Sequence, residues 1–263
     1  MGALLQSTIV PKIYFDSSDV PGMRKDLTVE LWEYGVKLGL QNLYSIPPTA
    51  TSRVVLEHVS GSGKKVVIVP SVRPGRDGAN TMTEPVDRVD WPRSQNFPGA
   101  TPKDLPPLSC ANNSIRQSSG IPIRGQSPGT GAGSDVSIEF TSQDYLSTQS
   151  LPGGMPDEVL LHELVHALRM QKAMLLCTWM DRDFDTKEEF FAIMITNIYS
   201  SECGRPLRAN HNGKTLLSRD LSDEKAYVKA YEPEIKALRS EMGAFCAALG
   251  AINTKFNPLR VAI

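Results

Sequence analysis

The chain has 263 residues, of which 40% are hydrophobic, and this is enough apolar material for a substantial buried core. Its 28 basic and 29 acidic residues nearly cancel, so the sequence carries no electrostatic signature of nucleic-acid or anionic-lipid binding. No run reaches the roughly 18 apolar residues of a membrane helix, and the first residues lack the pattern of a cleaved signal peptide. We therefore expect no nucleic-acid partner and no membrane insertion, and we expect any secretion to proceed without a cleaved leader.

The first 72 residues contain several stretches of predicted regular structure. Ile9–Phe15 is a candidate strand, and apolar residues at helical spacing predict a helix over Asp26–Tyr44. Two β-branched runs, Arg53–His58 and Lys64–Val69, flank a Ser-Gly-Ser-Gly sequence, which is typical of a β-hairpin.

Residues 73–135 are rich in proline, glycine, serine and asparagine, a composition typical of loops. A loop of this length inside a compact domain is usually functional or mobile, and full disorder of residues 73–105 is an alternative. The chain thus divides into an N-terminal α/β and loop-rich region, residues 1–127, and a C-terminal region, residues 128–263. The first region is expected either to pack on the second or to link it to a carrier protein.

The C-terminal region is predicted to be mostly helical after one strand, Val136–Thr141. Pro156–Lys172 has a proline near its start and acidic residues in its first turn, as helices prefer. A second helix is predicted over Thr186–Ser201, and Ser222–Leu249 is helical with a break at Pro233. These elements predict an α+β fold with a small mixed sheet, a central helix and a C-terminal helical part.

The central helix contains the sequence His-Glu-x-x-His at residues 162–166. His162 and His166 are four residues apart, so they lie one turn apart on the same helical face and can hold one zinc ion together. Glu163 is displaced around the helix, where it can act as a general base towards water without occupying a coordination position. The alternatives are two histidines without a metal, or a structural metal site, although a structural site needs no base.

A catalytic zinc ion normally takes a third protein ligand. The metzincin pattern requires a glycine at position 169 and a histidine at position 172, where this chain has Arg169 and Lys172, so that class is excluded. The remaining candidate is Glu189 on the following helix. It begins a Glu-x-x-Ala sequence, in which the small Ala192 allows the two helices to approach closely.

Glu189 also has a purely structural interpretation. Thr186 and Glu189 match a capping box, in which the glutamate would bind the backbone at the start of the helix. However, Asp185 and Glu188 form a second such pair one residue earlier, which would leave Glu189 free. We therefore favour Glu189 as the third ligand and keep Glu188 as the alternative.

Hydrolysis of an amide also needs a donor for the developing oxyanion. Tyr199 and His211 are the preferred candidates, with Arg208 as a third, although each can instead have a packing, ion-pairing or solvent-exposed role.

The strand Val136–Thr141 could bind an extended substrate along a sheet edge, with the preceding GTGAGSD sequence as a flexible border or a plain linker.

Three stretches together resemble a known family: GTGAGSDVSIEF, LLHELVHALRM and EEFFAIMITNIYSSECGRPLRANH, within about residues 128–213. The chain is similar there to the bacterial effector zinc metallopeptidases of family M91, named for a type III secreted enteropathogen protease. This resemblance implies a zincin-like fold, one zinc ion per chain and cleavage of a protein inside a target cell.

The resemblance also implies how the protein reaches its substrate. Such enzymes are secreted effectors or toxins of type III, type VI or contact-dependent systems, and their partners include secretion carriers, chaperones and immunity proteins. A zinc amidase acting on cell-wall peptide or another small amide is the alternative activity, because the same metal chemistry serves both reactions.

Overall fold

The computed structural model describes residues 4–20, 26–45, 50–71, 82–85, 133–175, 180, 183–211 and 215–263. Within these ranges the chain has a mixed α+β fold with a small mixed sheet. The strands are β1 Leu4–Gln6, β2 Ile13–Asp16, β3 Val66–Val69, β4 Met82–Pro85 and β5 Val136–Glu139. The helices are α1 Val29–Ser45, α2 Ala50–Gly61, α3 Pro156–Gln171, α4 Lys187–Glu202, α5 Glu224–Ala230, α6 Glu232–Glu241 and α7 Gly243–Gly250. No helix in these ranges is both long enough and apolar enough to cross a membrane.

The five strands form one sheet in the order β1-β2-β3-β5-β4. The three inner strands are parallel, with Ile13 beside Val66 and Val66 beside Val136, whereas β1 and β4 run antiparallel at the two edges. Strands from both sides of the expected boundary at residue 127 therefore share one sheet. As a result, the N-terminal region forms part of the support for the C-terminal helices.

The predicted hairpin between Arg53–His58 and Lys64–Val69 is wrong. Only its second half is a strand, β3, while the first half lies in helix α2. Val55, Leu56 and Val59 are all buried, and their spacing places them on one helical face. Because β2 and β3 are parallel, their connection must cross over the sheet, and α1 and α2 provide that crossover.

The remaining predictions for the N-terminal region are mostly confirmed. The helix expected over Asp26–Tyr44 is α1, and the strand expected over Ile9–Phe15 is the shorter β2. Strand β1 was not predicted. Strand β4 lies inside residues 73–135, where only loop was expected, and residues 86–132 lie outside the described part of the chain.

Helices α3 and α4 form the centre of the molecule. Helix α3 is buried from Asp157 to Gln171 and packs against α4, α1, α2 and the strands β4 and β5. Both helices agree with the predicted ranges to within one residue. The C-terminal helical part is also confirmed, with Pro233 in the first turn of α6 and a second, unpredicted break after Met242.

Candidate metal centre

One turn of α3 brings two imidazole rings together. The Nε2 atoms of His162 and His166 lie 3.0 Å apart, and the ring centroids are separated by 4.7 Å. Both residues are 6% exposed, so neither ring is freely solvated. This is the arrangement expected for histidines at positions i and i+4 of a helix.

Glu189, in the first turn of α4, completes the cluster. Its Oε2 lies 3.0 Å from His162 Nε2, and its Oε1 lies 3.5 Å from His166 Nε2. Three donor atoms, one from each residue, all lie within 4.8 Å of one another. Two imidazole nitrogens and a carboxylate oxygen that converge in this way fit a divalent cation, so His162, His166 and Glu189 could hold a metal ion.

The caps at the start of α4 differ from the expectation. Thr186 caps the helix, and its Oγ1 accepts a hydrogen bond from the Glu189 backbone at 3.3 Å. Asp185 does not act as the cap. It adopts a positive φ of 62° and its Oδ2 lies 2.8 Å from His211 Nδ1. The Glu189 side chain nevertheless faces the histidines, because its backbone N–H and not its carboxylate takes part in the cap.

Glu188 lies behind His166 and not in the cluster. Its Oε1 is 3.5 Å from His166 Nδ1, and its Oε2 accepts a hydrogen bond from Arg169 Nε at 2.7 Å. Arg169 is fully buried, stacks on Phe191 and also contacts Glu241 at 3.2 Å. Carboxylates in this position orient a metal-binding imidazole through its second nitrogen.

The charges of the cluster are strongly coupled. Burial alone would raise the pKa of Glu189, but attraction to His166 and hydrogen bonds from both histidines hold it well below its ordinary value. Burial opposes protonation of His166, yet the carboxylates of Glu189 and Glu188 raise its pKa well above 6.5. Burial, only partly opposed by the hydrogen bond to Glu189, lowers the pKa of His162 to about 3. These opposite shifts have one cause, since the buried carboxylates favour a positive charge at His166, the place where a cation would also be favoured.

Glu163 is buried beside this cluster and 7% exposed. Its Oε2 accepts a hydrogen bond of 2.5 Å from the hydroxyl of Thr83 on strand β4. Burial raises the pKa of Glu163, and attraction to His166 together with the Thr83 hydrogen bond partly offsets that rise. Thr83 was missed by sequence reasoning, because a short strand within a proline- and glycine-rich stretch gives no periodic signal.

His211 lies at the open side of the cluster and is 36% exposed. Its ring is parallel to that of His162 at 6.5 Å, and its Nε2 lies 3.4 Å from Glu189 Oε2. The Asp185 carboxylate can only accept a hydrogen bond, so His211 Nδ1 is the donor and carries a proton. Arg208 supports this segment through hydrogen bonds to the carbonyl groups of Asn210 and His211.

Tyr199 does not lie in the cluster, contrary to the expectation. Its hydroxyl donates to Asp157 at 2.5 Å, and Arg205 pairs with the same carboxylate at 2.9 Å. Tyr199 follows Glu189 by ten residues of one helix, which separates them by about 15 Å along the axis at 1.5 Å per residue. Its contacts indicate a structural role where the end of α4 packs on the start of α3, away from the cluster.

The strand expected to bind substrate, Val136–Thr141, is not at an edge of the sheet. Strand β5 pairs with β3 on one side and with β4 on the other, so its backbone is already hydrogen-bonded in both directions. Among the described residues, β4 is the edge strand next to α3.

Comparison with protein-family models, with curated proteins and with solved structures finds no match to this chain.

Proposed function

We propose that this protein is a single-zinc metallopeptidase that hydrolyses peptide bonds in a protein of a target cell. The observation that carries the proposal is the convergence of His162, His166 and Glu189 with Glu163 buried beside them. A site that only bound a structural metal would not need a glutamate adjacent to the first histidine. The resemblance to family M91 adds the secreted effector or toxin role, and with it a carrier, chaperone or immunity protein as partner.

In this proposal His162, His166 and Glu189 hold the zinc ion, and Glu163 is the general base. Bound zinc supplies a Lewis acid that acidifies water and polarises the carbonyl group under attack. Glu163 Oε1 has no hydrogen-bond partner within the described ranges, whereas Oε2 is held by Thr83. Oε1 therefore takes the proton of the attacking water and passes it to the leaving amine.

His211 is proposed to stabilise the oxyanion that develops on the carbonyl oxygen. The Asp185 carboxylate accepts a hydrogen bond from Nδ1 and fixes the ring, which leaves Nε2 on the side of the cluster. Because Nδ1 already carries a proton, His211 donates to the oxyanion from Nε2 as the imidazolium, in which both nitrogens are protonated. A donor that is already oriented stabilises developing charge without further reorganisation, and this is the usual origin of such a contribution.

Two features favour a peptide over a small amide. Among the described residues, strand β4 is an antiparallel edge strand beside α3, and an edge strand can receive an extended peptide through main-chain hydrogen bonds. This strand is also connected directly to the site, because Thr83 binds Glu163. We accordingly propose a zincin-like arrangement, in which substrate lies along β4 and crosses the catalytic helix.

The test compares wild-type protein with Glu163→Gln, which keeps the size of the side chain but removes the base. Glu57→Gln, on the exposed surface of α2, is the matched control. Zinc-loaded proteins are incubated with bacterial and animal cell lysates, and new protein termini are identified by mass spectrometry. Wild type and Glu57→Gln should generate the same termini, whereas Glu163→Gln should be slower by about 10²- to 10⁴-fold.

Three other results would contradict parts of the proposal. Release of fragments from cell-wall peptide without any new protein termini would replace the peptidase with the amidase. Zinc binding without hydrolysis of either substrate class would leave only a structural metal site. Equal activity of wild type and Glu163→Gln would remove Glu163 as the base.

A further inference from the structure

Strand β4 places one threonine hydroxyl directly on the central helix. Thr83 pairs with Ile138 of β5, and residues directly opposite in an antiparallel pair point to the same face of the sheet. Ile138 is fully buried, and both strands pack on α3, so Thr83 also faces this helix and is 6% exposed. A slip of one residue in the register would turn the hydroxyl to the opposite face.

The hydroxyl lies close to two oxygen atoms of Glu163. Thr83 Oγ1 lies 2.5 Å from Glu163 Oε2 and 3.4 Å from the Glu163 backbone oxygen. The hydroxyl has one hydrogen and donates it to the nearer carboxylate oxygen, so this bond fixes the rotation of the carboxylate, and the backbone oxygen is only a close neighbour. A carboxylate that is fixed through one oxygen presents its other oxygen in a defined direction.

We infer that Thr83 is a positioning residue, which holds the carboxylate of Glu163 so that Oε1 faces the attacking water. This inference rests on the proposed function. Thr83 touches neither the metal cluster nor the substrate in this role, and it acts only through Glu163. Because the hydroxyl comes from the edge strand, the same strand that would receive the peptide also orients the base.

The inference predicts different behaviour for two conservative variants. Thr83→Val keeps the shape and β-branching of the side chain but lacks the hydroxyl, whereas Thr83→Ser keeps the hydroxyl. Thr83→Val should lower kcat by about 10- to 100-fold, because misplacing a reacting group by about 1 Å can cost about 100-fold. KM should remain within about twofold of wild type, and Thr83→Ser should restore most of kcat.

The matched control is Thr148→Val. Thr148 is also a buried threonine, and its hydroxyl lies 3.2 Å and 3.1 Å from the backbone oxygens of Tyr145 and Gly154, so its one hydrogen is donated to the backbone and not to Glu163. Thr148→Val should lower stability without changing kcat. Zinc content and thermal unfolding are measured for each variant. If Thr83→Val does not fold, Thr83→Ala is compared with Thr83→Ser in the same way.

A second readout is independent of hydrolysis. Protein labelled with ¹³C in the glutamate carboxyl groups is studied by NMR, and the Glu163 signal is assigned by its loss in Glu163→Gln. The signal should move in Thr83→Val and stay near its wild-type position in Thr83→Ser and Thr148→Val. A signal that does not move in Thr83→Val, or an equal loss of kcat in Thr83→Val and Thr83→Ser, would overturn the inference.

Failure of the proposed function is recognised separately. If wild-type protein hydrolyses no substrate, the proposed function is rejected, and the proposed role of Thr83 is rejected with it. If wild type is active and the Glu163 signal is insensitive to Thr83→Val, only the role of Thr83 falls.

Discussion

Glu188 and Glu189 are neighbours in the first turn of α4, yet their side chains make different contacts. Glu189 contacts Nε2 of both histidines, whereas Glu188 contacts only Nδ1 of His166 and is held from behind by Arg169. Replacing each glutamate with glutamine removes one negative charge while keeping its size. The two variants therefore separate direct coordination from orientation of a ligand.

The magnitudes follow from those contacts. Glu188→Gln weakens only the support of one imidazole, so zinc affinity should fall by about 10- to 100-fold. This corresponds to about 1.4 to 2.7 kcal/mol of binding free energy. Glu189→Gln replaces the proposed carboxylate ligand with a neutral amide, so its loss of zinc affinity should exceed the roughly 100-fold upper end of that range.

Zinc affinity is measured by competition with a fluorescent chelator at pH 7.5, together with urea unfolding of each metal-free variant. Unfolding is needed because Glu188→Gln also removes one of the two carboxylates beside the buried Arg169 and leaves Glu241 as the other. A larger loss of zinc affinity in Glu188→Gln than in Glu189→Gln, with both variants folded, would exchange the two assignments.

Three further predictions concern the surroundings of the cluster. The pKa of His166 in the metal-free chain lies well above 6.5, so zinc binding at pH 7 should release about one proton from this ring and should weaken as pH falls. Calorimetry in buffers of different ionisation enthalpy measures the proton release. No net release would contradict the prediction. Asp185→Asn tolerates the positive φ but loses the charge that fixes His211. The value of kcat should therefore fall by roughly 10- to 100-fold while zinc is retained. An unchanged kcat would argue against an oriented His211. Tyr199→Phe should lower the free energy of unfolding by about 1 to 3 kcal/mol, because the hydrogen bond to Asp157 is lost, and should leave kcat within about twofold of wild type. A large loss of kcat without destabilisation would instead indicate that Tyr199 acts in catalysis.

The central part of the site could be predicted from the sequence because its geometry is local. Two histidines four residues apart on a strong helical pattern must share a face, and His162 and His166 do so. Glu189 could also be proposed, since a helix with a small Ala192 can pack closely on α3. The capping argument used to choose it was wrong, because Thr186 and not Asp185 caps the helix.

The failures have physical causes of two kinds. Arg53–His58 is rich in β-branched residues, but burial of Val55, Leu56 and Val59 on one face outweighs that local preference and gives a helix. Tyr199 was placed in the site on residue type alone, although its position along the helix already separates it from Glu189.

Contacts between distant residues could not be predicted. Thr83 is 80 residues before Glu163, and only the register of a four-residue strand brings its hydroxyl to the carboxylate. The pairing of Asp185 with His211 likewise depends on how the chain returns after α4. Such pairs arise from the tertiary arrangement and leave no periodic pattern in the sequence.

The most direct test is a crystal structure of the zinc-loaded protein with anomalous diffraction recorded on both sides of the zinc absorption edge. We predict one anomalous peak per chain, about 2.0 to 2.2 Å from Nε2 of His162, from Nε2 of His166 and from a carboxylate oxygen of Glu189. A zinc-loaded crystal with no peak between these three atoms, or with the peak on other side chains, would contradict the metal centre on which the proposed hydrolysis depends.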